Sequence, residues 1–186
     1  MRSVADFYQD CISAVGQQPP LDVQLPDAVG CVLAEDVEAP FNLPVADLAA
    51  CDGYAVAAAD LEGARPDAPV VLPVTEEIRA GDIHPAALIR GRAIRIASGA
   101  PMPQGADAVL ALEFSDHGIS KVSAKTQPAV GENIRRKAED VEEGTVVLRA
   151  GTRVGARQVA LLAGVGRSRV LVHPRPRVVI LSIGDE

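Results

Sequence analysis

Four short stretches carry residue types that could do chemistry. In "A-C-D-G-Y-A-V", residues 50–56, Asp52 forms an Asp-Gly turn pair at the mouth of a strand beginning at Tyr54. A carboxylate there is either a plain turn former or a ligand for a hard cation. In "I-A-S-G-A-P-M-P-Q-G-A-D-A-V", Ser98 and Gly99 open a small-residue loop after a strand ending at Ala97. The pair offers a hydroxyl and close backbone approach to an anion, or simply joins two strands. In "N-I-R-R-K-A-E-D", Arg135, Arg136 and Lys137 are adjacent cations flanked by Glu132, Glu139 and Asp140. Arginine forks suit phosphate and other oxyanions, and the flanking acids equally fit a solvated charged loop. The closing "S-I-G-D-E" sets Glu186 just past an apolar run. That is the carboxyl end of a strand, where open α/β sheets bind ligands and where acids suit Mg²⁺. No P-loop, G-x-G-x-x-G or nucleophile elbow occurs.

The elements that must hold these residues fall into two textures. Residues 3–16 read as a helix: Ser3 and Asp6 form a capping-box variant, and Val4, Phe7, Cys11, Ile12 and Val15 share one face. Pro19-Pro20 confirms its stop. "L-D-V-Q-L" alternates as a strand, and Asp27 is placed to cap a short helix through Leu33. The run up to Asp52, "A-P-F-N-L-P-V-A-D-L-A-A", shows no periodicity and reads as an irregular connection holding one acid, Asp47. From Tyr54 onward, "Y-A-V", "V-V-L-P-V", "A-I-R-I-A", "A-V-L-A-L" and "I-S-K-V-S" recur between Gly, Pro and Asp, the spacing of a sandwich or barrel. Then come the strand and turn of "T-V-V-L-R-A-G-T-R-V", the short helix "A-R-Q-V-A-L-L-A-G-V-G" and the strand "S-R-V-L-V".

The expected class is therefore α+β and multidomain. Residues 1–45 and 145–175 form a discontinuous mixed α/β domain, and 46–144 an inserted all-β, barrel-like domain. "R-V-V-I-L-S-I-G", within 176–186, has the continuous apolar character of a buried parallel strand, the first of a further α/β domain of which this chain is an N-terminal fragment.

Bulk composition narrows the function. The 186 residues are 48% hydrophobic, enough for real cores. A net charge of −7 disfavours nucleic acid and acidic membranes as partners. No apolar run approaches the roughly 18 residues of a membrane span, and the N-terminus lacks a signal-peptide core, so cytoplasm is the default. Cys11, Cys31 and Cys51 are odd in number and lack a C-x-x-C, which argues against a disulfide framework or zinc site. His84, His117 and His173 read as surface or strand-end residues.

Taken in order, "C-D-G-Y-A-V", "S-G-A-P-M-P-Q-G-A-D-A-V", "G-E-N-I-R-R-K-A-E-D" and "R-P-R-V-V-I-L-S-I-G-D-E" resemble the N-terminal part of the molybdopterin molybdenumtransferases, the MoeA and gephyrin E-domain family. The likeness runs from "V-G-C-V-L-A-E-D-V" to the last residue. It implies Mg²⁺-dependent insertion of molybdate into adenylylated molybdopterin, with release of AMP. It also implies a homodimer whose cleft lies between the β domain of one subunit and the molybdopterin-binding domain of the other, with contacts to other molybdenum-cofactor synthesis proteins possible. The fragment alone is expected to be inactive. By this likeness Asp52, Ser98, Asp140 and Glu186 line the cleft, Asp52 and Glu186 hold the metal, and Gly99, Arg135 and Arg136 orient the oxyanion. Four positions depart from the family pattern: Ala49 for Ser, Cys51 for Met, Ala138 for Gly and Ile183 for Thr. These departures keep open an alternative, a gephyrin-like scaffold with little transferase activity.

Overall fold

The computed structural model describes residues 2–83, 87–182 and 184. In chain order, the elements begin with α1 (Val4–Ala14), β1 (Leu21–Gln24), β2 (Val32–Leu33) and β3 (Val37–Glu38). There follow β4 (Leu48–Ala49), β5 (Gly53–Val56), β6 (Val70–Ile78), β7 (Ala93–Ile96), β8 (Ala108–Ala111), β9 (Lys121–Ala124) and β10 (Ile134–Arg135). The chain closes with β11 (Val146–Leu148), α2 (Ala156–Gly164) and β12 (Arg169–His173). It divides into two compact units: the residues up to Pro40 together with those from Gly144 onward, and Phe41–Glu143.

The first unit is built on an antiparallel sheet ordered β1-β12-β2, with Val172 facing both Leu21 and Leu33. Leu33, Val37, Val154, Leu162, Val170 and Val172 form its core, and α2 enters it through Leu162. The capping box of α1 is present as expected, with the Asp6 N–H donating to Ser3 Oγ at 3.1 Å. Yet no residue of α1 is buried, and Phe7, Tyr8 and Ile12 remain exposed.

Two expectations fail in this unit. Residues 25–30 form turns rather than a helix reaching Leu33, because β12 recruits Val32–Leu33 into its sheet and tertiary pairing overrides local capping. The segment around "R-V-V-I-L" carries no regular structure through residue 182, and Val178 to Leu181 are exposed, Val179 by 80%. A fully buried strand requires neighbours, and none pairs with this one among the described residues.

The second unit holds a five-stranded sheet ordered β8-β5-β7-β6-β9. All its pairings are antiparallel except β6 with β7. Cores lie on both faces. Tyr54, Val56, Leu72, Leu110 and Val122 pack on one, and Ala55, Ile78, Ile94, Ile96 and Val109 on the other. The inner strand β5, between β8 and β7, is buried throughout, which explains why "G-Y-A-V" is uninterrupted by a charge. Gly53 opens it because an added Cβ would lie 2.2 Å from the Leu110 carbonyl oxygen.

Candidate functional site

Strand β4 corrects the expected irregular run before Asp52. Leu48 pairs with Arg135 on one side and bridges to Pro101 on the other, and Ala49 pairs with Ile134. The Gly99 N–H donates to the Ala49 carbonyl and the Ala49 N–H to that of Ala100, both at 2.9 Å. The Ala50 N–H reaches the Asn133 carbonyl at 2.8 Å. One two-residue strand thus gathers three of the four motif segments onto a single ribbon.

Asp52 leaves this ribbon one residue before β5. Its Oδ1 accepts the Ser98 N–H at 2.7 Å, and the Ser98 hydroxyl donates to the Ala50 carbonyl at 3.4 Å. The main chain is fixed as well, with the Leu112 N–H on the Asp52 carbonyl at 3.2 Å. Asp52, Ser98 and Gly99 are exposed. The turn geometry alone does not need the charge, because a neutral acceptor would serve the Ser98 N–H equally well.

The basic loop comes to the same ribbon with its arginines already partnered. Arg135 pairs with Asp140. Arg136 Nη1 meets Asp47 Oδ2 at 2.7 Å, and the Lys137 N–H donates to Asp47 Oδ1 at 2.8 Å. The Lys137 N–H, opposed by partial burial and aided by Arg136, holds the Asp47 carboxyl below its usual range. The loop is tied down further by the Ala138 and Asp140 N–H groups, which donate to the carbonyls of Pro44 and Leu43. Ala138 has φ 64, a left-handed conformation that glycine adopts without strain.

Asp52, Gly53, Glu77, Arg95, Ile96, Ala97 and Leu112 line a cavity of 140 Å³. Cys51 stands beside it with its thiol pushed up, mainly by burial and then by Glu113, Asp52 and Glu132. That shift keeps the sulfur protonated and a poor nucleophile. Among the described residues no cluster of three or more His, Cys, Asp or Glu is arranged to hold a metal. Glu186, Ile183 and His84 lie outside the described residues. The structure therefore joins Asp52 to Ser98 by a hydrogen bond, ties Gly99 to Ala49 beside them, and brings Arg135, Arg136 and Asp140 to the same ribbon. Sequence reasoning missed Asp47 as the loop's anchor, and it missed Arg95 and Glu77. The one signal for Arg95 was a lone cation inside the apolar run "A-I-R-I-A".

Residues 2–166 match the family of the MoeA N-terminal region (domain I and II). The chain belongs to that family. It is 42% identical over its whole length to molybdopterin molybdenumtransferase 2 of Mycobacterium tuberculosis, of which it covers 46%. It is 39% identical to the molybdopterin molybdenumtransferase of Bacillus subtilis, over 88% of this chain and 39% of that one. A solved structure of the molybdopterin biosynthesis MoeA protein from Pyrococcus horikosii matches with a TM-score of 0.77 at 32% identity, over 90% of this chain and 43% of the other. The chain thus spans about half the length of the curated relatives it matches. The MoeA membership covers the Asp52, Ser98 and Arg135–Asp140 segments together.

Proposed function

We propose that this chain contributes the Asp52 face of the active cleft of a molybdopterin molybdenumtransferase, acting in molybdenum cofactor biosynthesis. The reaction we infer inserts molybdate into adenylylated molybdopterin and releases AMP. The names of the relatives support the pathway and the transferase class. The observation that carries the site is Asp52, pinned through one carboxylate oxygen by the Ser98 N–H and lining a cavity with Arg95.

Asp52 is the described residue that would hold Mg²⁺. Its exposed carboxylate keeps one oxygen clear of the Ser98 contact, and Mg²⁺ commonly takes only one or two carboxylates plus substrate phosphates. The ion would neutralise the phosphate charge as it develops. Glu186 is proposed as the second acid, Ser98 as a hydroxyl donor and Gly99 as an open backbone approach. Asp140 sets Arg135, and Arg136 stands beside it, both facing the oxyanion's negative charge as forks. Self-association is part of the same reading, supported by the apolar face that α1 leaves exposed, Phe7 by 59%.

The test is molybdate-dependent AMP release from adenylylated molybdopterin by a protein of the relatives' length carrying this segment. Release that depends on both molybdate and Mg²⁺ supports the reading. A folded, dimeric protein that releases no AMP overturns it in favour of a scaffold.

A further inference from the structure

Every lysine and arginine among the described residues is exposed except Arg95. Arg95 is half-buried, yet it makes no ion pair among those residues. Its natural partner is close by. Glu77 is its register neighbour across the parallel β6–β7 pairing, but Glu77 Oε2 turns to Arg79 Nη2 at 3.3 Å. The placement itself is unusual. Between Val74↔Ala93 and Glu77↔Arg95 the register shifts, so that three steps on β6 match two on β7. Bulges in parallel pairs are rare, and bulges commonly re-aim side chains beside functional sites.

The space around Arg95 is open on two sides. It lines the 140 Å³ cavity with Asp52 and Gly53, and also a 220 Å³ cavity with Val74, Thr75, Glu76, Glu77 and Ile119. Gly53 cannot grow a side chain into the first of these without striking the Leu110 carbonyl. Taking a guanidinium partly out of water without a partner is unfavourable, and its planar fork matches the paired oxygens of a phosphate-like oxyanion, as it does those of a carboxylate.

We propose that Arg95 is the oxyanion-binding residue of a subsite next to Asp52, taking a phosphate-like group, either free or as the phosphoryl of a nucleotide. Asp52 on the same wall repels a bare anion, so binding strengthens when its charge is removed or countered. The proposal rests on the reading given under Proposed function and deepens it by naming a contact for the oxyanion besides Arg135 and Arg136, which already pair with Asp140 and Asp47.

The test is made on this chain itself, by titrating inorganic phosphate or AMP without Mg²⁺ while following the Arg95 Nε–H signal of ¹⁵N-labelled protein. The expected result is a saturable shift at concentrations on the order of millimolar. Arg95→Lys, which keeps the charge and loses the fork, should weaken binding about tenfold, and Asp52→Asn should strengthen it. Tighter AMP than phosphate assigns the subsite to a nucleotide phosphoryl, and equal affinities assign it to the free oxyanion. No saturable shift in the wild-type chain, or a folded Arg95→Lys variant that binds as well as wild type, overturns the proposal. An empty titration leaves the AMP-release reading standing, while lost AMP release with an intact titration leaves the subsite standing.

Discussion

Removing the Asp47 carboxylate should loosen the basic loop in a pH-dependent way. Asp47 makes two contacts with it, one to the Lys137 N–H and one to the Arg136 guanidinium. The ion pair is solvent-screened, with side-chain exposures of 37% for Asp47 and 54% for Arg136, so it contributes no more than about 1 kcal/mol. The backbone hydrogen bond adds roughly 0.5–1.5 kcal/mol. Asp47→Ala should therefore cost about 1–2 kcal/mol at neutral pH, and Asp47→Asn, which keeps one acceptor, about half of that.

The sign of the pH effect follows from the lowered carboxyl. A group whose folded value is depressed stabilises fully above its unfolded value and loses that stabilisation as pH falls through the folded value. The gap between wild type and Asp47→Asn should thus be constant near neutrality and close below about pH 4. Urea unfolding of both proteins at neutral and acid pH measures it. Equal stability at neutral pH, or a gap that persists unchanged in acid, would refute the anchor.

Two further changes test the surroundings of the site. Gly53→Ala drives a Cβ against the Leu110 carbonyl and should destabilise by about 3 kcal/mol, the upper end for overpacking, seen as a fall in Tm; an unchanged Tm would mean that β5 and β8 can separate freely. Ala138→Gly relieves a φ of 64 and should raise stability by up to about 1 kcal/mol, whereas a lowered Tm would show that the loop tolerates the left-handed alanine without strain.

Much of the fold was legible where local signals and tertiary structure agree. Ser3 and Asp6 announced α1, and Gly, Pro and Asp separated the runs that became β5 to β9. Strand β4 was not legible because two residues carry no periodicity and their partner, Ile134–Arg135, lies far along the chain. The same blindness to distant pairing turned Val32–Leu33 into an imagined helix end. For the site, sequence indicated Asp52 and Ser98 but not the hydrogen bond that joins them. Arg95 escaped because strand alternation gives a side chain's face but not the cavities beside it, and because the register shift lies on the partner strand β6, between Val74 and Glu77, and leaves no mark in "A-I-R-I-A".

The central claim is that Asp52 works through its charge rather than its turn. Asp52→Asn keeps an oxygen for the Ser98 N–H, so stability should stay within about 0.5 kcal/mol of wild type. In a protein of the relatives' length, the same change should cut AMP release at least about tenfold, equivalent to ~1.4 kcal/mol of transition-state stabilisation. Both are read on one variant, as Tm and as the rate of AMP release. Unchanged Tm with lost release is the predicted result; unchanged Tm with unchanged release would return Asp52 to the role of a turn residue and contradict the account.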